Sequence, residues 1–198
     1  MKKLIGTGLF VFICLSTFST VALALPAFLD RRPEDEQRKS IQSRSEEVLA
    51  ALYKAQPSAK SSVEKAYGYA TFSNFGVKIF FAGSGTGRGV AVNNKTGQKV
   101  FMNMAELQAG LGIGVKKFML IWIFDNEGSF NNFVNSGWEI GAQASAAAKA
   151  GDTGGAYEGA VPIASGIWLY QLTDAGVSLE LTAKGTKYYK DNDLNNKK

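Results

Sequence analysis

The most apolar stretch of the chain is residues 118–124, FMLIWIF. Alternation along a strand would place alternate members of this run on opposite faces, and both resulting sets are apolar. A run this short and this rich in aromatic and branched residues predicts a strand buried on both sides, although a buried helix would have the same hydropathy. We therefore expect this stretch to lie in the middle of the fold.

Helical periodicity precedes the strands. Pro33 is followed by three acidic residues, which suit the positive end of a helix dipole, and the pattern predicts a helix that ends before Pro57. A second, short helix is expected over residues 58–66, anchored by Val63. The basic residues near the start of the first helix could mark a membrane-surface segment, but the interleaved acids favour a helix packed on a sheet. Its apolar face consists of Ile41, Val48, Leu52 and Ala55.

From residue 67 onward the period is that of strands. The sequence predicts an α+β fold in which amino-terminal helices pack on a curved, mainly antiparallel sheet, and it leaves open whether the sheet is barrel-like. A short helix over residues 129–135 should end at Gly137, and residues 105–107 should form a brief helical turn or a bulge. The expected strands are residues 67–72, 76–81, 87–92, 98–103, 108–115, 118–124, 138–148, 158–164, 166–172, 177–183 and 186–189.

Small residues alternate along three of these strands, which places each set on one face of the sheet. One interpretation is close packing or sharp curvature of the sheet, since glycine weakens a strand unless something approaches its backbone. The other is a shallow apolar groove with a small-residue floor and walls of Phe80, Phe81, Trp122, Trp138 and Trp168. We call these three sets of alternating small residues ladders. They are Gly83, Gly85, Gly87 and Gly89; Gly110, Gly112 and Gly114; and Ala142, Ala144, Ala146 and Ala148.

The amino terminus has the pattern of a secretory signal peptide. Two lysines precede the apolar residues 4–15, and a Ser/Thr-rich segment then leads to the small-x-small sequence that ends at Ala24. We expect cleavage after Ala24 and export to the periplasm or cell envelope; an uncleaved membrane anchor is the alternative. The expected organisation is a signal peptide (1–24), a helical segment (25–66), a β-rich domain (67–190) and a loose tail (191–198).

The amino-acid composition limits the classes of function that the chain can have. The 198 residues are 45% hydrophobic and 20% charged, as in an ordinary globular domain, and the net charge of +5 is too small for a nucleic-acid-binding surface. The chain has no histidine, and its single cysteine, Cys14, lies in the predicted leader. The glycine-rich segment is not a nucleotide-binding loop, because Arg88 stands where both fingerprints need glycine. We therefore predict no enzyme activity, no metal and no cofactor.

Five blocks in series make residues 67–189 resemble the SYLF family of lipid- or actin-binding domains. The blocks are AYGYATF (66–72), GSGTGRGVAV (83–92), QAGLGIGVK (108–116), FNNFVNSGWEIGAQAS (130–145) and AGVSLELTAKGTKYY (175–189). The resemblance implies a non-catalytic domain that binds phospholipid of the phosphoinositide type. Residues 147–157 depart from the family's usual turn, and the predicted export separates the chain from actin, so actin binding is not carried over.

The predicted function is therefore phospholipid binding at a membrane surface in the envelope. The cations nearest the ladders are the candidates for headgroup contacts, since a basic residue at an anionic surface contributes about 1 kcal/mol. The alternative is a structural or protein-interaction module that meets another envelope protein through exposed sheet edges or loops and binds no lipid. The candidate lipid-binding residues are Lys78, Arg88, Lys116 and Lys117.

Overall fold

The computed structural model describes residues 30, 32–79, 82–109, 114–140, 157–173, 176–178 and 186–196. Side chains are described for these residues except in the stretches 74–79, 82–85, 106–109 and 114–117 and at positions 140 and 178. Several predictions lie outside the described residues: the signal peptide, the walls Phe80 and Phe81, Gly110 and Gly112, and the alanine ladder at 142–148.

The described part of the chain forms an α+β fold with four helices and one sheet of nine strands. All strand pairs are antiparallel, in the order β5-β9-β3-β2-β1-β4-β7-β6, with β8 also paired to β7. The strands are β1 Gly68–Ile79, β2 Ala82–Asn93, β3 Lys99–Ala109, β4 Gly114–Phe124, β5 Trp138–Ile140, β6 Val161–Ala164, β7 Ile167–Thr173, β8 Gly176–Ser178 and β9 Thr186–Lys190. The helices are α1 Glu34–Ala55, α2 Ala59–Lys65, α3 Glu127–Ser136 and α4 Asn192–Asn195.

The sheet is curled into a half-barrel. Strands β9 and β4 are separated by β3, β2 and β1, which would hold them about 19 Å apart in a flat sheet. The rings of Tyr188 on β9 and Trp122 on β4 nevertheless lie with their centroids 4.9 Å apart. The two strands can meet only if the sheet bends round, and the prediction of a curved antiparallel sheet is thereby confirmed.

Strand β4 is buried on both sides, as its sequence predicts. Its residues from Leu120 to Phe124 have no exposed surface. Phe118, Leu120, Trp122 and Phe124 belong to the aromatic core on the concave side of the sheet, where Phe133 of α3 packs 5.1 Å from Trp122. Ile121 and Ile123 face the convex side, which α1 and α2 cover. Alternation along one strand thus supplies two separate cores.

Helix α1 packs across the convex side of the sheet. Val48 and Leu52 have no exposed surface, and the Thr71 hydroxyl of β1 donates a buried hydrogen bond to Ser45 Oγ at 2.6 Å. The expected bounds and apolar face are confirmed with one exception. Ala55, the last residue of α1, is exposed.

Helix α3 closes the concave side. Its amino-terminal cap is Asn126, whose Oδ1 accepts a hydrogen bond from the Ser129 amide at 2.9 Å, so the helix begins earlier than expected. It ends at Gly137 as predicted, with φ of +76°. A side chain there would meet the backbone oxygen of Tyr188 at 2.5 Å, so both the conformation and the contact require glycine.

Two expectations about the central strands were wrong. Residues 67–72 and 76–81 are not two strands, because β1 continues through residues 73–76 in unbroken register with β2 and β4. Residues 105–107 form neither a turn nor a bulge and pair regularly with residues 84–86 of β2. Long-range pairing on both sides holds these segments extended despite their weak local strand propensity.

The predicted loose tail is also wrong, since residues 191–196 are fastened to the sheet. Asp191 caps α4 by accepting from the Leu194 amide at 3.1 Å, and Leu194 is buried against Ile41 and Phe101. The side-chain amide of Asn195 accepts from Phe101 N at 3.0 Å and donates to Phe101 O at 2.7 Å. It thereby extends the hydrogen bonding of β3 beyond the end of β9 and covers that part of its edge.

We predict that Gly89→Ala destabilises the protein. A methyl group at this position would lie 2.1 Å from the Thr71 backbone oxygen and 2.4 Å from Cδ1 of Phe72, so the free energy of unfolding should fall by about 1–3 kcal/mol. Urea denaturation measures the change. The matched control is Gly128→Ala in the first turn of α3, where the nearest atom is 3.4 Å away and helix propensity should make alanine neutral or stabilising by up to about 1 kcal/mol. Equal unfolding midpoints for the two variants would contradict the packing explanation.

Candidate ligand-binding face of the half-barrel

The concave side of the sheet changes character along its strands. Across the sheet at Trp122, the paired positions are Ala70 and Ala91, which leave room for the large ring. Six residues further along β4 the corresponding row reads Lys116, Gly76, Gly85 and Glu106. Because all these positions share the alternation of Trp122, the concave side passes from an aromatic half into a glycine-floored half with polar positions at its borders.

The glycine ladder of β2 lies on the concave side. Gly89 is opposite Phe72 and Met102, both members of the aromatic core, and the other three ladder glycines share its alternation. Close packing explains Gly89, because the ring of Phe72 occupies the space of the missing side chain. Gly85 and Gly76 are directly opposite each other, so the floor of the polar half consists of bare backbone on two neighbouring strands.

The three tryptophans predicted as walls of one groove do not all lie on the same side of the sheet. Trp122 and Trp138 meet on the concave side with ring centroids 6.5 Å apart and planes at 64°. Trp168 lies on the convex side, where its ring packs edge-on against Tyr157. Trp122 and Trp138 therefore share one side of the sheet, while the placement of Trp168 beside them was wrong, because Trp168 alternates with the concave residue Leu169 on β7.

Trp168 belongs to a self-contained hydrogen-bonded cluster. Its Nε1 donates to Asp125 Oδ2 at 3.1 Å, and the Tyr157 hydroxyl donates to the other oxygen of the same carboxylate. Burial and the bond to Asp125 raise the pKa of Tyr157 well above its usual value. The phenol therefore stays protonated at neutral pH, and the cluster fastens the segment before β6 to the end of β4.

Three of the four predicted cations lie at one end of the sheet. Lys78 on β1 is opposite Gly114, and Lys116 is opposite Gly76, so the two positions are diagonal neighbours on the concave side of the β1–β4 pair. Lys117 is adjacent but, by alternation, on the convex side. Arg88 is opposite Ser73, five residues away from Lys78 along β1, or about 17 Å.

Arg88 has a separate role on the convex side. Its Nη1 donates to Asp30 Oδ2 at 3.1 Å and to Gln37 Oε1 at 2.7 Å, and its side chain is only 18% exposed. A hydrogen bond from Arg32, together with the charges of Arg32 and Arg88, lowers the pKa of Asp30 to about 2. This network ties the segment before α1 to β2. The positive charge of Arg88 is thus balanced inside the protein.

A cleft of about 300 Å³ is lined by Asp30, Gln37 and Arg88 of this network. Glu34, Asp191 and Asp193 add further acidic groups to its lining. Within the described ranges, no group of three or more acidic, cysteine or histidine side chains is arranged to hold a metal ion. In the same part of the chain, no helix combines the length and apolar character that crossing a membrane requires.

Several buried polar side-chain atoms lie on the concave side. Among the described residues, Trp122 Nε1, Trp138 Nε1 and Thr186 Oγ1 are buried and have no hydrogen-bond partner. Trp122 and Thr186 have no exposed surface at all. Leaving a buried polar atom without a partner costs about 1–3 kcal/mol. Buried polar atoms in folded proteins are normally hydrogen-bonded, so these three atoms require an explanation.

Sequence reasoning missed Thr186. It stands in the short segment TKYYK, where nothing marks a buried hydroxyl. Two facts of the tertiary structure single it out: it alternates with the core residue Tyr188, and it pairs with Glu106 and Ile140 across both neighbouring strands. Thr186 therefore lies in the same row as the opposed glycines Gly85 and Gly76.

No protein-family model matches this chain. Among curated proteins, it is similar to Beta cell expansion factor A of Aeromonas veronii, with 32% identity over 172 residues. The aligned region covers 86% of this chain and 63% of the relative, so the chain spans less than two thirds of the length of the protein that it matches. The similarity assigns neither a family nor a ligand to the chain.

We predict that Asp30→Asn weakens the attachment of the segment before α1 in a pH-dependent way. Because folding lowers the pKa of Asp30 to about 2 from 3.8, its contribution to stability is complete above its unfolded pKa and is lost as the pH falls through 2. For a partly exposed ion pair near the surface we expect a loss of about 1 kcal/mol or less at pH 7. Thermal unfolding from pH 7 to pH 2 should show the two proteins converging in acid. A difference in midpoint that stays the same at every pH would contradict this role of Asp30. The control is Glu139→Gln, at an exposed position of β5.

Proposed function

We propose that this protein is a non-catalytic lipid-binding protein that acts at a membrane surface in the cell envelope. The observation that carries the proposal is the concave side of the half-barrel, which is aromatic at one end and glycine-floored at the other, with Lys78 and Lys116 at its border. A surface with apolar and cationic ends in sequence suits a ligand that carries an apolar and an anionic part, as a phospholipid does.

The sequence supports the same proposal independently. The resemblance to the SYLF family implies phospholipid binding, and the leader-like amino terminus implies export to the compartment where the envelope membranes are accessible. The absence of histidine and of cysteine outside the leader removes the commonest nucleophile–base pairs. We therefore propose binding without turnover.

The alternative is a protein-interaction module of the envelope that binds no lipid. The observation in its favour is the pair of end strands, β5 and β6, which terminate the strand order of the described sheet. Tyr189 on β9 is 43% exposed and could contribute to such a contact. An unpaired sheet edge can accept a strand from another protein.

We predict that replacing Lys78, Lys116 and Lys117 together by glutamine reduces binding to anionic vesicles. Three cations that each contribute about 1 kcal/mol at a charged surface imply a loss of about 100-fold in affinity if all three contribute fully. Co-sedimentation measures the affinity for vesicles of phosphatidylcholine alone and for vesicles that also contain about 30% phosphatidylglycerol, which gives them a charged surface. The single variant Lys117→Gln, on the convex side, should lose less than Lys116→Gln.

The matched control is the triple glutamine variant at Lys54, Lys60 and Lys65. These exposed lysines lie at the end of α1 and on α2, so the variant has the same net charge and leaves the sheet untouched. Equal losses in the two triple variants would show that overall charge, not this end of the sheet, determines binding. Failure of the unchanged protein to sediment with either vesicle at low salt, together with capture of an envelope protein, would favour the interaction module.

A further inference from the structure

We propose that Trp122, Trp138 and Thr186 bind the acyl-ester carbonyl oxygens of a glycerophospholipid on the concave side of the half-barrel. The inference rests on the proposed lipid binding and adds to it a position and a chemical specificity. It assigns a purpose to three polar atoms that the fold buries without a partner among the described residues.

The two indoles are the centre of the argument. An indole N–H is a donor only, so each needs an acceptor oxygen. The rings of Trp122 and Trp138 are 6.5 Å apart, and Tyr188 packs against Trp122 at 4.9 Å. Both Nε1 atoms are buried and unpartnered in the described part of the chain. Two donors on adjacent rings match a ligand with two acceptors a few bonds apart.

The surroundings select a neutral acceptor. The rings of Phe124, Phe133 and Tyr188 pack against Trp122, and the rest of this cluster of buried residues is also apolar. A carboxylate placed among them would lose its hydration with no cation to replace it, which is expensive in an apolar environment. A carbonyl oxygen of an ester carries no net charge, and one or two hydrogen bonds satisfy it. The geometry therefore favours an ester-linked lipid over a free fatty acid.

The order of chemistry along the concave side matches the order within a phospholipid. Lys78 and Lys116 stand at the glycine-floored end, Thr186 lies in the row of Lys116, Trp138 is opposite Tyr188 one row further, and Trp122 lies in the aromatic half. A headgroup phosphate and the ester carbonyls follow one another in the same sequence, whereas the aromatic half beyond them is filled by the core and by Phe133 of α3. The bare backbone of Gly76 and Gly85 lies at the level where the glycerol would pass.

The first test compares two vesicle preparations that differ only in the linkage of the lipid. Dioleoyl phosphatidylglycerol has two ester carbonyls, and its dialkyl ether analogue has none. The unchanged protein should bind the ester lipid more tightly, by about fivefold for each carbonyl hydrogen bond. Trp122→Phe keeps the ring and removes the donor, and it should reduce the preference; Trp122→Phe with Trp138→Phe should abolish it.

The matched control is Trp168→Phe. Its Nε1 already donates to Asp125 on the convex side, so this variant should keep the full preference for the ester lipid. Near-ultraviolet circular dichroism verifies that each variant retains its packed aromatic core before binding is compared.

The second test uses the stability of the protein without lipid. Thr186→Val is nearly isosteric and removes a buried hydroxyl that has no partner in the described part of the chain. It should raise the thermal midpoint of the lipid-free protein and, at the same time, weaken binding of the ester lipid by about fivefold. A site kept only for packing would show the first effect without the second.

The outcomes separate this inference from the proposed function. Equal binding of ester and ether lipids by the unchanged protein would overturn the carbonyl site and leave lipid binding intact. Binding of neither lipid would overturn both. A preference for the ester lipid that survives Trp122→Phe, Trp138→Phe and Thr186→Val would place the carbonyls elsewhere and would also overturn the inference, since buried water would then be the partner of these atoms.

Discussion

The contact between Trp122 and Tyr188 is the constraint on which the rest of the structure depends. It joins strands that three others separate in the sheet, and it can form only when the sheet curls. Phe72 and Phe133 pack around the same pair. Because these large rings occupy the inside of the curled sheet, the positions between them must be small. Ala70, Ala91 and Gly89 meet that requirement.

Strand β4 connects this inner core to the outer one. Its even-numbered residues from Phe118 onward fill the half-barrel, while Ile121 and Ile123 support α1 and α2. The convex side is finished by contacts with satisfied polar groups, such as Ser45 with Thr71 and Arg88 with Asp30. On the concave side the fold buries indole and hydroxyl groups that its described part leaves unpaired. These groups are the reason to look for a ligand on the inner side.

The edges of the sheet show how the fold restricts its own association. Asn195 covers β3 beyond the end of β9, and Asp191 holds the short helix that positions it. Residues rich in asparagine and lysine after the last strand have the composition of a disordered end, and only the presence of an open strand edge beside them makes their amides useful. Edge protection of this kind depends on the partner strand and has no signal within the segment itself.

The sequence by itself determined the elements whose pattern is local and strong. Alternation in residues 118–124 predicted a strand with two buried faces, and the spacing of Val48 and Leu52 with Pro33 and Pro57 predicted α1 nearly to the residue. Gly137 marked the end of α3 because a positive φ leaves few other choices. In each case one physical rule acts within a few neighbouring residues.

Tertiary structure alone decided which distant residues share a face. In the folded protein Arg88 lies apart from Lys78 and Lys116. Trp168 lies on the opposite side of the sheet from Trp122 and Trp138. Thr186 lies in the row of the opposed glycines. Register between strands that are remote in the chain sets these relations, and a shift of one residue would send every side chain to the opposite face. The glycine ladder of β2 could be read from the sequence as small residues on one face, but the direction of that face, toward the inside of the half-barrel, required the curl.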